Sequence, residues 1–598
     1  MKYHPGLERL RAIADLVRTD PRAAQTAAAA YLTDNAERPA AWRASALVAR
    51  AMGNLAVADQ HDISAIVAGA RRPAFAAAHN AFVAGHLEEA ETRLRAYLLD
   101  EDPEDAGGAL LLAKIALRCG AHQQAENLAR RAIQLAPSFV EAWMALARIQ
   151  HEAGAVYPAL ASLDHLLALA PTHIDALALK AGILVQLRRL DEADAVFCVL
   201  HQHHPDDSRG WMNHAFMLKT IGRGADATAA YRRAIALQPA NGQAWWGLAN
   251  LRSERFDETD IATMEAALSQ PTITDEERLH LHFALGKVLE GQAHYAGAFA
   301  QFTAGAALRV VQTPHNPDRV SANVARVTEI FTPRFYADRE GWGCPADDPI
   351  FIISLPRSGS TLVEQILASH SQVEGTEELF DLERIALDIG RDLPGGYLDR
   401  IESLTRDEVR ALGEAYLAST RRFRQSGRAR FTDKMPGNWA YAGLIRLILP
   451  NAGIVAIRRH PLGCGVANFT QHFNWGIDFS YDLAHIGQFY ADFVKQMAHF
   501  DAVAPGHICQ LTHESLVDDF ENQVRRMLDH LGMDFEPACL RFHETARPIH
   551  TPSSEQVRRP INRDGFDRWR NYDPWLGPLK AALGSVLDHY PLNPPHLD

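Results

Sequence analysis

Residues 349–361 read PIFIISLPRSGST and run on into LVEQILASH: a short apolar stretch, a Ser/Gly turn holding one arginine, then a helical pattern. In such a strand–loop–helix unit the N–H groups of the turn converge and the helix N-terminus adds partial positive charge, which suits a phosphate or sulfate. Gly359 allows the backbone to approach an anion, Arg357 adds a fixed cationic fork, and Ser358, Ser360 and Thr361 complete the loop, the last two as hydroxyl donors. The turn lacks both the first glycine and the lysine of GxxxxGK[ST], so a metal-assisted ATPase is disfavoured. Alone, PRSGST also fits an ordinary strand-to-helix turn.

Further segments add weight. RFTDKMP (430–436) places Lys434 after a strand-like stretch. IVAIRR (454–459) is an apolar β-like run ending in Arg458 and Arg459, and HPLGCGVANF then turns into a helix. SQVEGTEELF (371–380) holds Glu374, Glu377 and Glu378, candidates for a general base or simply acidic residues at the positive end of a helix. The segment TPSSEQVRRPINRDGFDRWR (551–570) concentrates arginines, either as a solvated basic loop or as an anion clamp. Strands that end in charged loops and alternate with helices imply a parallel α/β sheet with its site at the strand C-terminal ends.

The elements before residue 311 follow another ruler. Pro103, Pro137, Pro171, Pro205 and Pro239 recur every 34 residues, and Ala125, Ala159, Ala193 and Ala227 keep the same step. Trp143, Trp211 and Trp245 share a phase with Leu177 in the gap; Gly120, Gly154 and Gly222 share another, interrupted by Arg188. Each unit holds two amphipathic stretches, hence a helical hairpin whose alanine permits close contact and whose proline ends the second helix. The pattern resembles the tetratricopeptide repeat and predicts an all-α solenoid over 1–310, a linker over 311–345 and an α/β domain over 346–598. A repeat groove offers a concave surface for a peptide or protein partner; a packing or dimerisation scaffold fits the pattern equally well. His201, His203 and His204 read as a polar helix end rather than a metal site.

At 598 residues the chain is too long for one core, and its 47% hydrophobic and 22% charged residues exclude a disordered chain. A net charge of −13, with no basic excess in either half, argues against a nucleic-acid surface, so any anionic ligand needs a local cluster. Six cysteines without CxxC spacing indicate neither a disulfide framework nor a zinc site. The first residues lack the apolar core of a secretory signal and no uncharged apolar run approaches 18 residues, so a cytoplasmic protein without a membrane span is expected.

The motifs from about residue 346 to 580 resemble the sulfotransferase family, most closely bacterial tetratricopeptide-repeat sulfotransferases and the tyrosylprotein sulfotransferases. PRSGSTLVEQILASH looks like the family's P-loop-like segment for the 5′-phosphosulfate of 3′-phosphoadenosine 5′-phosphosulfate (PAPS), and IRRHPLGCGVANF stands at its 3′-phosphate motif. The resemblance implies sulfuryl transfer to an acceptor hydroxyl without a metal, leaving the desulfated nucleotide (PAP) as product. It casts Arg357 and Lys434 as cations beside the leaving group, Glu378 as the base with Glu377 its neighbouring alternative, and Ser553 as a contact to the transferring group. Arg459 and Arg568 would reach the 3′-phosphate. Ala467 replaces the family serine, with Asn468 as a substitute donor. A peptide or protein tyrosine held by the repeats is the implied acceptor; glycans, lipids and small hydroxylated molecules are sulfated by similar loops, and a homo-oligomer is compatible with the pattern. The competing expectation is a repeat scaffold whose sulfotransferase-like domain has lost transfer.

Overall fold

The computed structural model describes residues 5–251, 254–473, 476–545, 547 and 556–592. It divides into two compact units, Met1–Gly210 and Trp211–Asp598.

The first unit is made of helix pairs in the 34-residue register, among them Val140–Glu152 with Val156–Leu169 and Ile174–Gln186 with Leu190–His203. Ala125, Ala159 and Ala193 are fully buried, so one small side chain per repeat sets how closely the paired helices approach. The repeat tryptophan does more than fill a groove. The Trp143 indole N–H donates to the Pro137 carbonyl at 2.8 Å, fixing the chain where one hairpin hands over to the next. Between paired helices Gly120 and Gly154 sit at φ 75° and 76°, and Arg188, the irregular member of that phase, adopts φ 60° all the same. The turn geometry is thus a property of the repeat, and Arg188 bears left-handed strain of roughly 1–2 kcal/mol that glycine avoids. Glycine also adds freedom to the unfolded chain, at a cost of about 0.4–1 kcal/mol. Arg188→Gly is therefore expected to stabilise the first unit by about 0.5–1 kcal/mol, read as a higher urea midpoint; a lower midpoint would show that the Arg188 side chain matters more than its backbone.

The second unit holds a five-stranded, wholly parallel sheet in the order β2-β3-β1-β4-β5, with β1 Pro349–Ser354, β2 Val373–Gly375, β3 Arg430–Asp433, β4 Gly453–Arg458 and β5 Cys509–Thr512. Every residue of β1 is buried. Its side chains alternate between two cores: Phe351 and Ile353 enter one, Ile350 and Ile352 the other, as a sheet covered on both faces requires. The first core also contains Leu279, Phe283 and Phe302, from the repeat-like helices Asp275–Gly291 and Tyr295–Gln312. Those helices therefore pack with the sheet, which is why the compact units meet at Gly210/Trp211. The stretch anticipated as a linker carries helices Pro317–Ile330 and Pro333–Ala337, and its Val324, Val327 and Phe331 are buried in the same core. Because β1 lies between β3 and β4, the loops after these three strands emerge side by side at the C-terminal edge, the place where open α/β sheets bind ligands. Among the described residues, no helix is long and apolar enough to cross a membrane.

Candidate active site

The PRSGST turn leaves β1 and starts the helix Ser360–Ala368. Gly359 caps that helix at φ 105°, and a Cβ there would stand 2.8 Å from His513 Nδ1 and 3.2 Å from Ile457 Cδ1, so only glycine fits. Arg357 is also left-handed, at φ 64°. Two left-handed residues within three bend the loop around the helix N-terminus, the positive end of the helix dipole.

Beneath the loop lies the helix Pro461–Phe469, which follows β4. The buried Asn468 amide donates to the Pro356 carbonyl at 2.9 Å, and Ser358 Oγ lies 3.4 Å from Cys464 Sγ. Burial pushes the Cys464 thiol up to about 11, so it stays a neutral packing group. These contacts place Asn468 and Ser358 as braces of the loop. Neither side chain is on the cavity wall described next, and the Asn468 donors are already spent, so Asn468 does not stand in for the hydroxyl absent at Ala467.

A cavity of about 830 Å³ opens at this edge, within the range usual for small-molecule sites. Arg357, Gly359, Ser360 and Thr361 line it on one side, Arg459, Ala467 and Arg568 on another. Lys287 and Glu290 of the helix Asp275–Gly291 contribute a further wall.

Arg459 is the cation best prepared for an anion. It is half-buried, and among the described residues its nitrogens reach only carbonyl oxygens, that of Gly565 at 2.6 Å and that of Arg357 at 3.4 Å. Among the described residues its Nε has no partner and no carboxylate pairs with it. Burial lowers its pKa, outweighing the nearby Cys464 and Glu514, as expected of a guanidinium held out of water. His513, beside Gly359, is pushed down to about 4 by burial with Arg459 adding to it, and so is neutral at pH 7 with an unpartnered Nδ1.

Arg568 is differently placed. Its Nε lies 2.5 Å from Glu290 Oε1 and one terminal nitrogen 2.7 Å from Oε2, while the same nitrogen donates to Thr470 Oγ1 at 2.8 Å. Its charge is already neutralised by a carboxylate that sequence reasoning did not single out, since Glu290 reads as one more polar position on a repeat helix.

Lys434 and Glu378 come together, Nζ to Oε1 at 2.5 Å, with Lys434 buried and Glu378 exposed. They are not on the walls of the 830 Å³ cavity; Lys434 follows β3 and Glu378 follows β2. The alternative base, Glu377, is buried at φ 67°; its N–H donates to Glu364 Oε1 at 2.8 Å and its carbonyl accepts from the Lys434 N–H at 2.9 Å. Glu374 accepts from the N–H groups of Gln425 and Ser426. Glu364 itself is a missed member of the site. It is fully buried on the loop helix, accepts from Thr432 Oγ1 at 3.0 Å and pairs with Arg547 at 2.8 Å, so it anchors the segment carrying the acidic residues. Ser553 and its neighbour Ser554 lie outside the described residues.

With this geometry in view, residues 349–537 match the sequence model described as the sulfotransferase family. The C-terminal region is a sulfotransferase-family domain. An uncharacterized protein of Aquifex aeolicus (strain VF5) is 29% identical over 416 residues, 68% of this chain and 54% of that one, so the chain spans about half the length of the curated relative it matches. Among solved structures, a tetratricopeptide repeat protein from Parabacteroides merdae is 21% identical, covering 39% of this chain and 91% of that one at a TM-score of 0.30. MamA is 16% identical, covering 27% and 94% at 0.26.

Proposed function

We propose that the protein is a PAPS-dependent sulfotransferase acting on an acceptor hydroxyl, with a peptide tyrosine as the favoured acceptor. The observation that carries the reading is Arg459: a desolvated cavity-wall cation with no carboxylate partner among the described residues, next to a glycine-capped helix N-terminus. A nucleotide bearing separate phosphate groups fits that pairing of sites. PAPS, when bound, supplies a sulfuryl group on a phosphate leaving group, and the single charge of that sulfuryl needs no magnesium.

The chain's own groups then have distinct work. The N–H groups of 359–361, the Ser360 and Thr361 hydroxyls and Arg357 hold one anionic group; Arg459 holds another. The buried Lys434 ammonium offers charge for the leaving oxygen, and its bond to Glu378 Oε1 leaves Oε2 to take the acceptor's proton. Lys287 and Glu290 put the repeat-like helix on the cavity wall, which supports a role for the repeats in positioning the acceptor.

Binding is tested by melting the full chain with PAP or PAPS in the absence of magnesium. At 100 times Kd, stabilisation of about 2.7 kcal/mol is expected, visible as a higher Tm, and Arg357→Ala should remove most of it. An unchanged Tm with millimolar nucleotide would favour the scaffold reading, in which Ala467 marks a decayed nucleotide motif.

A further inference from the structure

A second cluster lies outside the cavity, on the same repeat-like helix. Glu276 and His280 are four residues apart and share a face of the helix Asp275–Gly291, and His472 comes from the chain just after the helix Pro461–Phe469. One ligand-capable atom from each of the three lies within 4.8 Å of the other two. The two imidazoles are buried and perpendicular, with centroids 4.7 Å apart at 88°.

Their hydrogen bonds fix which nitrogens are free. His280 Nδ1 is 2.8 Å from the Glu276 carbonyl, which can only accept, so Nδ1 carries the proton. His472 Nδ1 is 2.9 Å from the Tyr481 hydroxyl, whose single proton goes to the Phe473 carbonyl at 2.9 Å, so here too Nδ1 is the donor. Each ring is left with a lone pair on Nε2, and among the described residues neither Nε2 has a hydrogen-bond partner. Two such nitrogens cannot bond to one another. The Glu276 carboxylate, whose Oε1 lies 3.7 Å from His280 Nδ1, adds a third acceptor at the exposed edge of the cluster. Nδ1–H bound to an oxygen is also the arrangement that orients histidines as metal ligands.

We propose that Glu276, His280 and His472 bind a divalent transition-metal ion, zinc above all, which ties the repeat-like helix to the chain segment leaving the sulfotransferase motif helix. Two imidazoles and one carboxylate match zinc's preference, with water completing a tetrahedron on the exposed Glu276 side. Ligand atoms around tetrahedral zinc stand about 3.4 Å apart, so the three atoms, within 4.8 Å of one another, draw together on binding. Arg309 is the cation that opposes the ion, with Glu277 offsetting it. The ion would act on the donor cavity through the chain: His472 follows Gln471, on the cavity wall, and Thr470, which holds Arg568. The spacing of Glu276, His280 and His472 in sequence gives no sign of this, because the third ligand arrives from a distant element.

The test uses the full chain stripped by a chelator and titrated with zinc, then with cobalt. Expected are one zinc per chain, a rise in Tm, and cobalt absorption in the visible range typical of a four-coordinate site. Removing His472 opens a hole among Trp246, Phe283 and Tyr481, so the exposed ligand provides the second variant. Glu276→Gln should fold as the parent does and bind zinc about 10- to 100-fold more weakly, and His472→Ala should lose the cobalt spectrum. Absence of stoichiometric zinc in the parent, or zinc affinity in Glu276→Gln and His472→Ala equal to the parent's, overturns the proposal.

Discussion

Glu378→Gln is expected to cut sulfuryl transfer by about 100- to 10,000-fold while leaving the nucleotide-dependent rise in Tm intact. The amide keeps the size of the carboxylate, and its oxygen can still accept from Lys434 Nζ, so the pair that holds the ammonium survives. What it loses is the capacity to take a proton at Oε2. The groups proposed to hold the anions, Arg357, Gly359–Thr361 and Arg459, belong to other loops and line a cavity that Glu378 does not. Comparing transfer from labelled PAPS to a simple phenol such as 4-nitrophenol with the PAP-induced melting shift separates the two roles. Undiminished transfer would move the base to another residue, Glu377 first. Loss of both signals would mean that the Lys434–Glu378 pair shapes the nucleotide site rather than the chemistry.

The parts of the candidate site legible in the sequence are those written in one contiguous stretch. PIFIIS is uniformly apolar because β1 is covered on both faces, and Gly359 must be glycine because His513 and Ile457 leave no room for a Cβ. The parallel sheet was equally legible through strands that run into charged loops and alternate with helices, although the three-residue β2 and the mixed Cys509–Thr512 strand gave too little pattern. The missing information is pairing across distance. Glu364 looks like a solvent-facing helix position in LVEQILASH, yet it is buried because Arg547 meets it from the far end of the domain. Glu290 and His280 sit on a helix whose visible regularity is that of a repeat, and no periodicity marks that this copy packs on the parallel sheet. The same blindness explains why the sequence pattern breaks near 311–345 while the packing breaks at Gly210/Trp211.

Replacing Glu290 by glutamine should lower the stability of the second unit by about 3 kcal/mol at pH 7, because Arg568 would keep a buried charge without its counter-ion. In the native protein burial works against the Glu290 carboxylate, but Arg568, Lys287 and the hydrogen bonds from Arg568 and Tyr572 outweigh it and hold the pKa at about 2, below the ordinary 4.5. A carboxylate depressed on folding contributes stability that is fully present above its unfolded value and is lost as pH falls toward the folded one. The gap between parent and Glu290→Gln should therefore be constant from pH 7 to about pH 5 and should narrow between about 4.5 and 2, a window accessible to urea titration wherever both proteins remain folded. A gap that persists undiminished at the acid end would assign the loss to altered packing and not to charge. The same variant also decides what Arg568 does. Freed from Glu290, its guanidinium faces the cavity it already lines, so PAP should bind more tightly to Glu290→Gln than to the parent if Arg568 belongs to the nucleotide site. Unchanged PAP affinity would leave Arg568 as half of a structural pair joining the repeat-like helix to the sulfotransferase-family domain.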